Sequence, residues 1–131
     1  MIKEILQASK NIAILGLSND INKPSYMVGE YLLNNGYNII PIHPKYDEIL
    51  GIKTYKSLQE IDVRIDILNV FRKSEAIFGI AQEVLALKNK PKCMWVQLGI
   101  ESKESKELLE NSDIFYVENL CIKLEHKRLF R

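Results

Sequence analysis

The chain has 131 residues, of which 47% are hydrophobic, and its 18 Lys and Arg side chains nearly balance 17 Asp and Glu, for a net charge of +1. This balance gives no basis for binding nucleic acid or an anionic membrane surface. No apolar run approaches the roughly 20 residues needed to cross a bilayer. The length suits one domain over residues 1–131 with a hydrophobic core of its own.

The two cysteines, Cys93 and Cys121, are too few for a disulfide scaffold and lack the spacing of metal ligands. We therefore predict no metal site, and we expect a cytoplasmic protein with reduced thiols.

Apolar runs and helical periodicities alternate along the chain. In chain order we predict a strand at 12–15, a helix from 24 or 25 to 33, a strand at 37–42, a short helix at 58–61, a strand at 65–71, a helix at 74–87, a strand at 93–98, a helix at 103–109, a strand at 114–117 and a closing helix within 120–130. Short apolar strands separated by helices indicate an α/β fold with a parallel sheet. We predict a doubly wound, Rossmann-like three-layer sandwich with five strands in the order 3-2-1-4-5.

Ligands of such sheets bind beyond the carboxyl ends of the strands. The segments at these ends are polar, cationic and glycine-bearing, whereas the strands are apolar. The candidate ligand-binding residues are Gly16, Leu17, Ser18, Lys23, Ser25, Pro41, Ile42, His43, Pro44, Lys45, Val70, Phe71, Arg72, Gln97, Leu98, Gly99, Ile100 and Cys121.

The first strand ends at Gly16 and leads into a helix that begins near Pro24, an arrangement that points backbone N–H groups at one place and favours a phosphate. The segment has neither the G-x-G-x-x-G of a dinucleotide site nor a P-loop motif. Two alternatives remain open: Ser25 as a helix N-cap, and Lys23 as a solvated surface lysine.

The second strand ends in Ile42-His43-Pro44-Lys45, without the acidic residue that contacts the ribose in NAD-binding domains. A lysine there favours a ribose that carries a phosphate, as in NADP or coenzyme A, and the missing glycines disfavour NADP. His43 has no evident partner for catalysis, so we predict no catalytic residue.

Several segments resemble the small stand-alone CoA-binding proteins of bacteria, which share the fold of the CoA-binding domain of succinyl-CoA synthetase. The resemblance covers nearly the whole chain, with His43 in place of an asparagine and Asn119-Leu120 in place of Asp-Arg. It rests on Gly16-Leu17-Ser18, Lys23-Pro24-Ser25-Tyr26, residues 40–46, residues 66–72, residues 95–100 and residues 121–126.

The resemblance implies that coenzyme A is the ligand. The turn at residues 16–18 and the helix after Lys23 would hold the pyrophosphate, and residues 41–45 would flank the adenosine, with Lys45 at the 3′-phosphate. Residues 70–72 and 97–100 would line the pantetheine arm.

We therefore predict a non-catalytic binding or regulatory module for coenzyme A or an acyl-CoA. The alternatives are an NADP-dependent oxidoreductase and a scaffold subunit of an acyl-CoA ligase, so an oligomer or a protein partner stays open. Cys121 is either a half-buried turn residue or a thiol that forms a mixed disulfide with the coenzyme.

Overall fold

A computed structural model describes residues 1–130 of the chain. The helices are α1 (Ile2–Ala8), α2 (Pro24–Asn34), α3 (Ser74–Ala86), α4 (Lys103–Leu109) and α5 (Ile122–Leu129), with a 3₁₀ turn at Leu58–Glu60. The strands are β1 (Asn11–Leu15), β2 (Asn38–Ile42), β3 (Glu48–Ile49), β4 (Ile52–Lys53), β5 (Ile67–Val70), β6 (Cys93–Val96) and β7 (Phe115–Val117).

Five strands form a parallel sheet in the order β2-β1-β5-β6-β7. One face carries α1, α2 and α5, and the other carries α3 and α4. The predicted fold class, an α/β Rossmann-like sandwich, is confirmed. In the part of the chain described, no helix is both long and apolar enough to span a membrane.

The predicted strand order is wrong at one position. Counted along the five-stranded sheet, the order is 2-1-3-4-5 rather than 3-2-1-4-5, because β5 pairs with β1 on the side opposite β2. The predicted order requires β5 on the outer side of β2, with an α-helix in the connection to cover it. The connection from β2 to β5 contains no α-helix. It packs Leu58 and Ile65 into the core beneath α3, and so crosses β1 on that face.

Two elements were not predicted from the sequence. The seven-residue α1 buries Leu6, whose carbonyl oxygen accepts a hydrogen bond from the Tyr37 hydroxyl at 2.7 Å. The antiparallel hairpin of β3 and β4 turns at Leu50 and Gly51, both with positive φ (57° and 73°).

The order of the strands fixes the position of the ligand crevice. The chain runs from β1 to β2 on one side of the sheet and from β5 to β6 and β7 on the other, so the switch point lies between β1 and β5. The predicted order would have placed the segment after β5 at the outer edge of the sheet. It lies instead in the centre, beside the turn that follows β1.

Candidate functional site

The candidate residues lie at the carboxyl end of the sheet, and they differ in exposure. Those that are buried are Leu17, Ser25, Pro41, Ile42, Val70 and Gln97; those that are half-buried are Gly16, Ser18, His43, Phe71, Arg72, Ile100 and Cys121; those that are exposed are Lys23, Pro44, Lys45, Leu98 and Gly99. The side chains of the buried group support the site from beneath, whereas the others reach its surface.

Gly16 lies at the switch point in a left-handed conformation, with φ 89°. Its N–H group donates to the Ile42 carbonyl at 2.9 Å, which ties the turn to β2. A Cβ at this position would overlap the Phe71 carbonyl oxygen and lie 2.6 Å from an Arg72 guanidinium nitrogen. The turn after β1 and the segment after β5 are therefore in direct contact, and only glycine fits between them.

Arg72 brings a positive charge to this contact. Its guanidinium is half-buried, and burial lowers the pKa of Arg72. Within the described residues 1–130 its guanidinium forms neither an ion pair nor a side-chain hydrogen bond. A partly desolvated guanidinium without a carboxylate partner favours an anionic ligand.

The loop after β2 adds further positive charge. Burial lowers the pKa of His43, and the charges of Arg72, Lys45 and Lys56 lower it further. Lys56 is paired with Asp47 at 2.8 Å, so Arg72 and Lys45 are the cations here without a carboxylate partner in residues 1–130. The site has the electrostatic character that phosphate groups require.

His43 has a structural role within its own loop. Its Nδ1 accepts a hydrogen bond from the Lys45 backbone N–H at 3.1 Å, and its ring packs on Tyr46 with centroids 4.5 Å apart. Because this nitrogen is occupied by the loop itself, the ring positions Lys45. Pro41 and Ile42 are buried within β2, so Pro44 and Lys45 form the exposed part of the loop.

Ser25 supports the loop after β1. It is buried in the first turn of α2, whose N-cap is Lys23, and its hydroxyl accepts a hydrogen bond from the Ser18 backbone N–H at 2.9 Å. The N–H groups of Gly16 and Ser18 are therefore both used within the protein. Across residues 1–130, those of Leu17 and Ser25 have no acceptor; Leu17 is fully buried, whereas Ser25 keeps 5% of its surface exposed.

Gln97 is also a supporting residue. Its Oε1 accepts hydrogen bonds from Asn69 Nδ2 at 3.2 Å and from the Ile122 N–H at 3.3 Å. These contacts join β5, β6 and α5 beneath the site. Asn69 was not identified from the sequence, although an asparagine inside an otherwise apolar strand is a signal for a buried polar contact.

Asn119 positions the loop after β6. It has φ 58°, a conformation that asparagine tolerates better than most residues, and its Oδ1 accepts a hydrogen bond from the Gly99 N–H at 2.7 Å. This contact leaves Leu98 58% exposed at the mouth of the site.

Four of the candidate residues line one groove. Phe71, Arg72, Gly99 and Ile100 border a cavity of about 870 Å³ that continues to the first turn of α3. It runs from the switch point across the ends of β5 and β6. A groove of this size is sufficient for an extended small-molecule arm.

The cysteines differ in their environments. Cys93 is fully buried in β6, and burial raises its pKa to about 12. Cys121 is half-buried at the N-cap of α5. It directly precedes Ile122, whose N–H donates a hydrogen bond to Gln97 Oε1.

A comparison with protein-family models matches residues 10–127 to the CoA binding domain. The chain belongs to this CoA-binding domain family. The predicted family is therefore confirmed.

Two relatives match nearly the whole of this chain. The uncharacterized protein YneT of Bacillus subtilis is 44% identical over 125 residues, which are 95% of this chain and 91% of YneT. A solved structure from Thermus thermophilus has a TM-score of 0.92 and 36% identity, covering 98% of this chain and 96% of that one.

A third relative is much longer. An ADP-forming acetate–CoA ligase of Methanocaldococcus jannaschii is 43% identical over 58 residues, which are 44% of this chain and 8% of the ligase. The CoA-binding domain family thus includes this chain, and part of the chain also resembles a small portion of a CoA ligase.

Proposed function

We propose that this chain binds coenzyme A or an acyl-CoA at the carboxyl end of its sheet, as a binding or regulatory module without catalysis of its own. The observation that carries the proposal is the unpaired, half-buried guanidinium of Arg72 against the Gly16 turn, at the switch point of a CoA-binding domain. Coenzyme A is an anion whose ribose carries both a pyrophosphate and a 3′-phosphate. The Gly16 turn lies at the switch point, where ligands of open α/β sheets bind.

The pyrophosphate would lie against the Gly16 turn, with the Arg72 guanidinium and the unpaired Ser25 N–H at the start of α2 as donors. Lys23, at the N-cap of α2, adds an exposed positive charge. A charged donor shielded from water contributes more than an exposed one, so Arg72 is expected to contribute more than Lys23.

The exposed loop after β2 would flank the adenosine, with Lys45 at the 3′-phosphate. His43 supports this placement because its ring holds the Lys45 backbone. The pantetheine arm would follow the groove of about 870 Å³ past Phe71 and Ile100.

We propose no catalysis because two polar side chains at the site, those of His43 and Gln97, already hydrogen-bond to the protein itself. His43 Nδ1 and Gln97 Oε1 both accept hydrogen bonds from the protein. The occupied His43 Nδ1 is therefore not free to act as a general base on a bound thioester, and an amide oxygen such as Gln97 Oε1 is not basic enough for that role.

Isothermal titration with coenzyme A and with NADP tests the ligand. We expect saturable binding of coenzyme A, and about a tenfold to hundredfold loss for Arg72→Gln, because a charge-assisted contact contributes about 1.5–3 kcal/mol. Lys90→Gln is the control, since this exposed lysine lies at the opposite end of the sheet, where within residues 1–130 its ammonium group hydrogen-bonds to the Leu87 carbonyl alone. Binding of NADP without binding of coenzyme A would support the oxidoreductase alternative instead.

Lys45 is tested by comparing coenzyme A with dephospho-coenzyme A. Lys45→Ala should weaken coenzyme A about twofold to fivefold and leave the dephospho form nearly unchanged, because the contact is exposed to solvent. Equal losses for the two ligands would assign the 3′-phosphate to another cation.

A further inference from the structure

The outer surface of β7 and α4 is the part of the fold that the proposed ligand site leaves unused. β7 is the last strand of the sheet, with β6 on one side and no strand on the other among residues 1–130. The β2 edge, by contrast, is partly covered, because Tyr55 pairs with Pro41 and His43. An uncovered strand edge presents free backbone donors and acceptors to a partner.

The free backbone groups of β7 belong to Tyr116. The Phe115 N–H donates toward β6, to the Lys92 carbonyl at 2.9 Å. Since successive residues of a strand alternate in direction, the N–H and C=O of Tyr116 point away from β6. A second strand can therefore pair at this position.

A groove of about 660 Å³ lies between this edge and α4. Its α4 wall is a charged stripe formed by Lys103, Lys106, Glu107 and Glu110, all of them exposed. None of these four side chains forms an ion pair within residues 1–130, although their spacing would allow pairs along the helix. A lysine that precedes the glutamate is the less favourable order for such pairs.

The order of charges along this stripe, two lysines followed by two glutamates, is complementary to the same stripe running in the opposite direction. If two copies of α4 pack antiparallel about a twofold axis, Lys103 faces Glu110 of the second copy, and Lys106 faces Glu107. The same axis sets the two β7 edges antiparallel, with Tyr116 at the centre. A twofold interface uses the same surface on both copies and requires this kind of self-complementarity.

We propose that the chain forms a twofold homodimer through β7 and α4, in which the two sheets join into one. The occupant of the groove is a second copy of this chain. The surface is separate from the proposed coenzyme A site at the carboxyl ends of the strands, so each proposal can fail without the other.

Charge reversal with sedimentation velocity tests the dimer. Wild type should sediment as a species of twice 15.2 kDa. Lys103→Glu with Lys106→Glu makes the stripe wholly acidic, and Glu107→Lys with Glu110→Lys makes it wholly basic. Each double variant should raise the dimer dissociation constant at least tenfold, because like charges then face each other.

An equimolar mixture of the two double variants should restore the dimer, as should the chain that carries all four substitutions. Thermal melts of each variant confirm that it is folded. A monomeric wild type, double variants that remain dimeric, or a mixture that does not associate would each overturn the proposal.

Hydrogen exchange tests the joined sheet separately. The Tyr116 amide should exchange at least tenfold more slowly in the wild-type dimer than in either folded double variant. Equal exchange in both would overturn the pairing of the β7 edges.

Discussion

The Gly16 turn is restricted by the protein before any ligand binds. The Phe71 carbonyl and the Arg72 guanidinium occupy the space where a Cβ would project. The protein's own packing therefore requires glycine at position 16, whether or not a phosphate binds beside it. A loss of ligand binding in a Gly16 variant has to be separated from a loss of folding.

Alanine substitutions at two glycines make that separation. Gly16 and Gly99 both have positive φ (89° and 86°), but a Cβ at Gly99 meets no atom within 4 Å. Gly99→Ala should cost about 1–2 kcal/mol for the left-handed conformation alone. Gly16→Ala should cost clearly more, because the Phe71 carbonyl must move as well.

Urea denaturation of both variants measures the difference. A Gly16→Ala variant as stable as Gly99→Ala would show that the β1 turn and the segment after β5 are not in the described contact. Any coenzyme A titration of Gly16→Ala should be read only beside this measurement.

The sequence predicted the surface residues of the candidate site from their place after strands, and it named Ser25 and Gln97 as candidates without predicting their contacts within the protein. Arg72, Lys45 and the Gly16 turn follow strands, and the rule that ligands bind at strand ends is sufficient to select them. That Gln97 and Ser25 hydrogen-bond to the protein depends on which strands and helices lie side by side, which no local pattern encodes. For the same reason Asn69 was not identified.

At the scale of elements, Asp66 joins the amino ends of three strands. Its Oδ2 accepts hydrogen bonds from the backbone N–H groups of Lys10 (2.8 Å) and Asn11 (2.9 Å), before and within β1. Its carbonyl oxygen accepts from Lys92 and Cys93, where β6 begins. Burial raises the pKa of Asp66, but the two N–H groups, with Lys92 and Arg64, more than offset this, so its pKa lies below the ordinary 3.8.

The stability contributed by Asp66 depends on pH in a defined direction. Because the folded pKa is below the unfolded one, the contribution is complete above about pH 4 and is lost as the pH falls through the folded pKa. Asp66→Asn should cost about 1–3 kcal/mol at pH 7 and flatten the acid limb of the stability profile. Urea denaturation from pH 7 to 2.5 measures this. Glu83→Gln, an exposed carboxylate on α3, is the control, and an equal effect from both would contradict the prediction.

His126 connects α5 to α2 and to Tyr37, the residue that precedes β2. It lies on α5, its Nδ1 is 2.7 Å from the Tyr31 hydroxyl on α2, and its ring packs against Tyr37 and Phe130. The charged groups near it are Lys123 and Lys127, which lie over the Tyr31 ring, and Lys3, over Phe130. Burial lowers the pKa of His126 below its ordinary value of 6.5, so the folded protein takes up a proton at this ring less readily than the unfolded chain does.

Stability should therefore fall as the pH drops below about 6.5, because the unfolded chain takes up a proton that the folded chain does not. His43 has a lowered pKa as well, so His126→Gln is needed to separate the two. Thermal melts at pH 7.5 and 5.5 should show a smaller pH difference for this variant than for wild type. An unchanged difference would assign the effect to His43.

The helices and strands were predicted with different success for physical reasons. α4 matches its predicted bounds, 103–109, because Ser102 caps it through its hydroxyl. α1 is only seven residues long, so its stability comes from the contacts of Leu6 rather than from helical propensity. The β3–β4 turn contains Leu50 with φ 57°, where the recognisable hairpin signal is Asn or Asp before glycine.

At the scale of the whole molecule, the sequence predicted the class of fold but not the full order of its strands. Parallel strands with right-handed crossovers satisfy either order. The strand order follows from the segment between β2 and β5. This segment packs Leu58 and Ile65 on the face of the sheet that carries α3, and it forms no helix on the outer side of β2. This choice sets Arg72 beside Gly16 and thereby forms the candidate site.

The burial of Cys93 has a practical consequence. Because its thiol is shielded and its pKa is about 12, a thiol reagent should modify one cysteine in the folded protein and two in denaturant. The native chain thus carries one chemically addressable thiol, that of Cys121, which lies half-buried at the N-cap of α5 after the end of β7. Under the proposed binding of coenzyme A at the strand ends, the labelling rate of the unmutated protein should fall as the ligand is added, with no reporter group introduced beforehand.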